Sequence, residues 1–128
     1  YSDGVSDENF LRGVQPTDAD GVARFLTIFP GAYNGRWPHV HFEVFPSVAE
    51  ATASGRVLAT SQIALPPDAC VAAYGTEGYS TSRSNYPNTT LESDMVFRED
   101  GAVHQLGTVT GTPSTGMSVR LRVPVQVS

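Results

Sequence analysis

Punctuation constrains this chain more than any other feature. Twelve glycines, nine prolines and a dozen threonines are spread through 128 residues, leaving few uninterrupted stretches long enough for an extended helix. Between the breaks, apolar residues alternate with period two more often than they recur at helical spacing, the mark of half-buried strands. Residues 10–15 read as a short strand and Thr17-Asp18-Ala19-Asp20-Gly21 as a turn, with 22–28 as the returning strand of a hairpin. In that second strand Val22, Arg24, Leu26 and Ile28 share one face, while Ala23, Phe25 and Thr27 share the other. Residues 29–38 hold two prolines and two glycines and must be loop. Residues 39–45 alternate again and form the next expected strand.

The small, polar residues 47–55 fit a loop or one weak helical turn, and 57–64 fit a strand. Pro66-Pro67-Asp68 opens a helix, with prolines in its first turn and an acid near the positive end of the dipole, and Gly75 ends it. Residues 76–93 are rich in Ser, Thr, Asn, Tyr and Gly and read as a long loop. Residues 95–97, 103–110 and 117–127 are the last expected strands. The expected fold class is all-β: an antiparallel β-sandwich with one short helix and long loops. No internal repeat or linker divides the chain, so residues 1–128 are read as one domain.

Forty per cent apolar and 16% charged residues suffice for a packed core, which excludes general disorder. Eight arginines, no lysine and thirteen acids leave a net charge of −5, which argues against a nucleic-acid partner. No apolar run approaches the roughly 20 residues that span a bilayer, so no membrane partner is expected. The one cysteine, Cys70, has no partner for an internal disulfide. Exposed strand edges leave room for a homo-oligomer.

The stretch richest in chemistry is Phe29-Pro-Gly-Ala-Tyr-Asn-Gly-Arg-Trp-Pro-His-Val-His41. His39 and His41 stand two apart on a strand, so both imidazoles leave the same face and form a ready pair of metal ligands. A bare His-x-His is a weak signal, because surface and core histidines produce it too. The surroundings add to it. Trp37, Pro38 and Phe42 offer an apolar wall, and Tyr33 sits in a Gly/Pro loop from which a phenol can fold over the same face. Phenolate is a hard anionic oxygen ligand suited to a trivalent ion such as ferric iron. Arg36 brings a guanidinium within reach of that face, where it would stabilise negative charge on a bound substrate.

Together, Phe10-Leu-Arg-Gly-Val-Gln, Thr17-Asp18 with Gly21, Phe25-Leu-Thr-Ile-Phe-Pro-Gly-Ala-Tyr33, Gly35-Arg36 and His39-Val-His41 resemble the intradiol ring-cleavage dioxygenases. The resemblance continues more loosely through Gln62, Leu65-Pro-Pro-Asp68 and Asp94-Met-Val-Phe97. It implies a mononuclear, non-haem ferric ion, Fe(3+), held by two tyrosines and two histidines: Tyr1, Tyr33, His39 and His41. It also implies that Arg36 stabilises the ketonised substrate, that Gln62 lines the site, and that Tyr33 acts as base for a substrate proton. The substrates would be a catechol-type aromatic diol and dioxygen, and the product a cis,cis-muconate-type diacid of aromatic catabolism. The loop from Tyr33 to His39 is shorter than in the well-known bacterial enzymes and matches a small subgroup with a Pro-Gly-x-Tyr-x-Gly-Arg loop, many of them exported. The strands that precede the first ligand tyrosine in the family have no counterpart here, so the expectation is a catalytic domain lacking its N-terminal strands.

Other readings of the same residues stand beside this one. A β-sandwich binding or structural domain would keep the scaffold without a competent site, and a zinc or copper hydrolase-like centre would use His39 and His41 alone. Tyr1 also reads as a frayed terminus. Tyr74, Tyr79 and Tyr86 read as packing or loop aromatics and His104 as a solvated histidine. Asn88-Thr89-Thr90 matches a glycosylation sequon, and turn chemistry alone accounts for Asp18 and Asp20.

Overall fold

The computed structural model describes residues 11–53 and 55–127. Backbone contacts divide them into two compact units: residues 11–28, 43–59 and 126–127 in the first, Phe29–Phe42 and Thr60–Val125 in the second.

In the first unit the expected turn forms. Asp18 Oδ1 accepts the amide protons of Asp20 and Val22 at 2.9 Å each, and the Asp18 amide donates to the Val22 carbonyl, also at 2.9 Å. The strands on either side do not form. Residues 12–17 and 22–28 carry no regular secondary structure, and Phe25, Leu26 and Ile28 are exposed. A hairpin with neither face buried is marginal in water, so alternation there does not become a ladder. A five-residue helix, α1 (Val48–Thr52), realises the weak turn, with Ser47 capping the Glu50 amide at 3.2 Å.

Strand β1 (His39–Val44) pairs with β2 (Ala59–Ala64). The Leu58 amide donates to Val44 and the Leu65 amide to Pro38, so the two strands run antiparallel. Helix α2 (Pro67–Tyr74) begins at the proline pair and stops at Gly75, as its sequence signals direct. Residues 76–93 are not all loop: helix α3 (Ser80–Asn85) and a 3₁₀ turn (Tyr86–Asn88) form within them. The chain therefore has three short α-helices among the described residues instead of one. The aromatic rings of Tyr79 and Tyr86 anchor this polar segment against Tyr74, each at 5.6 Å between ring centres.

Residues 95–97, expected as a strand, form consecutive turns instead. Asp94 Oδ1 takes the Val96 and Phe97 amide protons, at 2.8 and 3.2 Å, that a ladder would have used. The last sheet is the antiparallel hairpin β3 (Thr108–Thr112) and β4 (Gly116–Arg120), so residues 103–107 and 121–127 fall outside it. Gly111, at φ +88°, faces Gly116 so closely that a Cβ would lie 2.1 Å from its carbonyl oxygen. Two two-stranded sheets, short helices and long irregular segments make up the described residues, and strand and helix are about equal in extent.

Two buried clusters lie in the second unit. Ala32, Leu65, Cys70, Ala73 and Tyr74 form one, and Trp37, Ala64, Phe97 and Ala102 the other. No helix among the described residues is long and apolar enough to cross a membrane. Phe97 has no exposed surface. Phe97→Ala should therefore cost about 3–5 kcal/mol, read as a fall in the urea midpoint; a loss under about 1 kcal/mol would remove Phe97 from the core. Burial pushes the Cys70 thiol up to about 12, so the folded protein should not react with thiol reagents at neutral pH until denaturant is added.

Candidate metal centre

β1 places His39 and His41 two residues apart on one side of the strand, His39 half-buried and His41 exposed. His39 Nδ1 lies 2.7 Å from the Trp37 carbonyl oxygen. A carbonyl accepts only, so Nδ1 carries the proton and Nε2 keeps a free lone pair. Burial lowers the basicity of His39, reinforced by the charge of Arg36 and opposed by the Trp37 carbonyl and Asp94. The imidazole is thus neutral at pH 7, the form that ligates metals.

Tyr33 reaches the same place from the loop before β1. Its ring centre is 6.0 Å from that of His39, in an edge arrangement at 64°, and it remains half exposed. Two imidazoles on one strand and a neighbouring phenol make a donor set that fits a hard or borderline cation. Among the described residues no three His, Cys, Asp or Glu side chains converge. The expected set holds only two residues of those types, His39 and His41; its remaining members are phenols.

Beside them lies a charged network. Arg36 Nε donates to Asp94 Oδ2 at 2.8 Å, and Nη2 donates to Gln62 Oε1 at 2.6 Å. Arg36 and Gln62, expected at one site, do meet. Asp94 has no exposed surface, and its Oδ2 also accepts the Trp37 amide at 2.7 Å. Burial by itself would raise the Asp94 pKa; the Arg36 guanidinium and the Trp37 and Val96 amides outweigh it and hold the carboxyl below its ordinary 3.8. Among the described residues Arg36 Nη1 makes no hydrogen bond and is the donor left for an anionic group.

Asp94 is the residue that sequence reasoning missed. It belongs to the Asp94-Met-Val-Phe97 landmark, yet it stands 58 positions from Arg36 inside a polar stretch where nothing local marks it. Tyr1 lies outside the described residues. The Tyr74 and Tyr79 hydroxyls donate to the backbone carbonyls of Pro30 and Phe29, both at 2.8 Å, in keeping with packing roles. Trp37 is core, 5% exposed, and its indole donates to the Leu65 carbonyl at 2.9 Å. His104 and Asn88 are exposed. A cavity of about 400 Å³ between Pro66, Ala69, Leu106, Val109 and Met117 shares no residue with this site.

A carboxyl whose pKa is depressed by folding stabilises the fold above its unfolded value, and that contribution is lost as pH falls through the folded value. Denaturant stability should therefore drop as pH is lowered below about 4, and Asp94→Asn should flatten that drop. At pH 7 the same substitution should cost about 3 kcal/mol, since it breaks a buried ion pair from one side. An unchanged acid profile in the variant would show that Asp94 is not the group responsible.

No protein-family model matches the chain, and no curated protein sequence matches it. Among solved structures it is similar to an intradiol ring-cleavage dioxygenase from Tetranychus urticae, with a TM-score of 0.59 and 21% sequence identity. The match covers 77% of this chain and 44% of that protein, so the chain spans less than half the length of that neighbour. What the two share at this identity is the fold.

Proposed function

We propose that the chain carries the catalytic centre of an intradiol-type dioxygenase, on a single antiparallel β-sandwich domain, opening a catechol-type ring between its hydroxyl-bearing carbons to a cis,cis-muconate-type diacid. The observation that carries the reading is the contact of the Tyr33 ring with His39, whose Nε2 is held free by the Trp37 carbonyl. The fold shared with the Tetranychus urticae dioxygenase supports it.

His39, His41 and Tyr33, with Tyr1, are the residues that would hold Fe(3+). A ferric ion bound there supplies Lewis acidity that favours a catechol as its dianion and makes the ring reactive toward dioxygen. Tyr33, half exposed, takes a proton from a substrate hydroxyl. Arg36 turns its free Nη1 to the negative charge that develops on the ring, while Asp94 and Gln62 keep the guanidinium from swinging away. Gln62 orients Arg36 and leaves the proton transfers to Tyr33. The buried Trp37 and Pro38 and the half-buried Phe42 limit water on the strand side of the site.

The test is optical and then chemical. Loading with ferric iron should give a red to burgundy tyrosinate band, and oxygen uptake with catechol should yield a ring-opened diacid. Tyr33→Phe should weaken or shift the band. Arg36→Lys, which keeps the charge but not the two-pronged grip, should slow turnover about 100-fold with iron content retained. A colourless iron-loaded protein that consumes no oxygen would leave a non-catalytic scaffold in its place.

A further inference from the structure

The loop that delivers Tyr33 has no helix or strand of its own, yet side chains engage four of its backbone polar groups, at Phe29, Pro30 and Ala32. The Ala32 amide donates to Ser82 Oγ at 3.0 Å, and Asn85 Nδ2 donates to the Ala32 carbonyl at 2.9 Å. Both partners lie on α3, some fifty residues away, and together they bracket one residue as a neighbouring strand would. Ser82 and Ala32 are both buried, 7% and 5% exposed. Gly31 permits the approach: a Cβ there would stand 2.9 Å from Ser82 Oγ. The Tyr79 and Tyr74 hydroxyls take the two preceding carbonyls, of Phe29 and Pro30. Packing alone would hold an apolar loop loosely, whereas two directional bonds on one residue set the exit direction of the next. The next residue is Tyr33.

We infer that Ser82 and Asn85 are positioning residues, whose bracket on Ala32 aims Tyr33 at His39. The inference rests on Tyr33 being a residue of the proposed site. It assigns to the polar segment after α2 the task of holding the tyrosine loop, and it makes that loop's geometry depend on a helix with no group of its own at the metal centre.

The test uses the whole chain without metal, so that its result does not depend on ferric chemistry. Asn85→Asp is isosteric and replaces the donor that faces the Ala32 carbonyl by a charged acceptor that repels it; Ser82→Ala removes the acceptor of the Ala32 amide. Ser84→Ala, exposed on the same helix, is the control. In both bracket variants the Ala32 amide should exchange about tenfold faster, and the proton contact between the Tyr33 and His39 rings should be lost. Amides of β3 and β4 should keep their protection, and Ser84→Ala should change nothing. A ring contact that survives in both variants overturns the inference. So does equal loosening of β3 and β4, or an equal effect of Ser84→Ala. The wild-type ferric colour reports separately: a local loss of the ring contact beside a colourless wild type upholds the bracket and sinks the proposed function.

Discussion

A carboxylate stripped of water is tolerable only if its charge and lone pairs are matched, and much of the second unit follows from how Asp94 meets that demand. Arg36 supplies the charge, the Trp37 amide shares the same oxygen, and the Val96 and Phe97 amides take the other. One side chain thereby ties the loop before β1 to the turns that seat Phe97 in the core. The tie extends to the site. The residue whose amide Asp94 holds is the residue whose carbonyl fixes the His39 tautomer, so Trp37 links a buried ion pair to a candidate metal ligand.

The same logic explains how a chain with little regular structure holds functional groups still. Strands satisfy backbone groups through ladders; here side chains do it for the segments between them. Asp94 caps the 94–97 turns, while Ser82, Asn85, Tyr74 and Tyr79 take up the backbone of the tyrosine loop. Polar residues that look like solvated filler are in fact partners of buried amides and carbonyls. Gln62 is a smaller case, a side chain on β2 whose amide oxygen steadies the Arg36 guanidinium.

Local chemistry was legible where it acts within a few residues. The Asp18 turn, the proline-started α2 with its Gly75 stop, and the strand bearing His39 and His41 formed where their signals lie. Alternation in 22–28 misled, because a strand requires a partner and a buried face, and among the described residues Phe25 and Leu26 have neither. Residues 95–97 misled for the opposite reason: Asp94 offered their amides a closer acceptor than any strand. The helix within 76–93 was hidden because its anchors are scattered aromatic rings with no apolar period.

The sequence by itself determined the chemical inventory: two imidazoles on one strand face, a phenol and a guanidinium in the loop before them, and glycines and prolines that forbid long elements. Residue type and short spacing are enough for that, since strand periodicity and turn preference act over neighbouring residues. Only the tertiary structure decided which groups meet. The pairing of Arg36 with Asp94 and the bracket of Ser82 and Asn85 on Ala32 span fifty residues or more. Bonds of that reach exist because burial strips water from both partners at once, and no local pattern records which buried donor a distant acceptor will face.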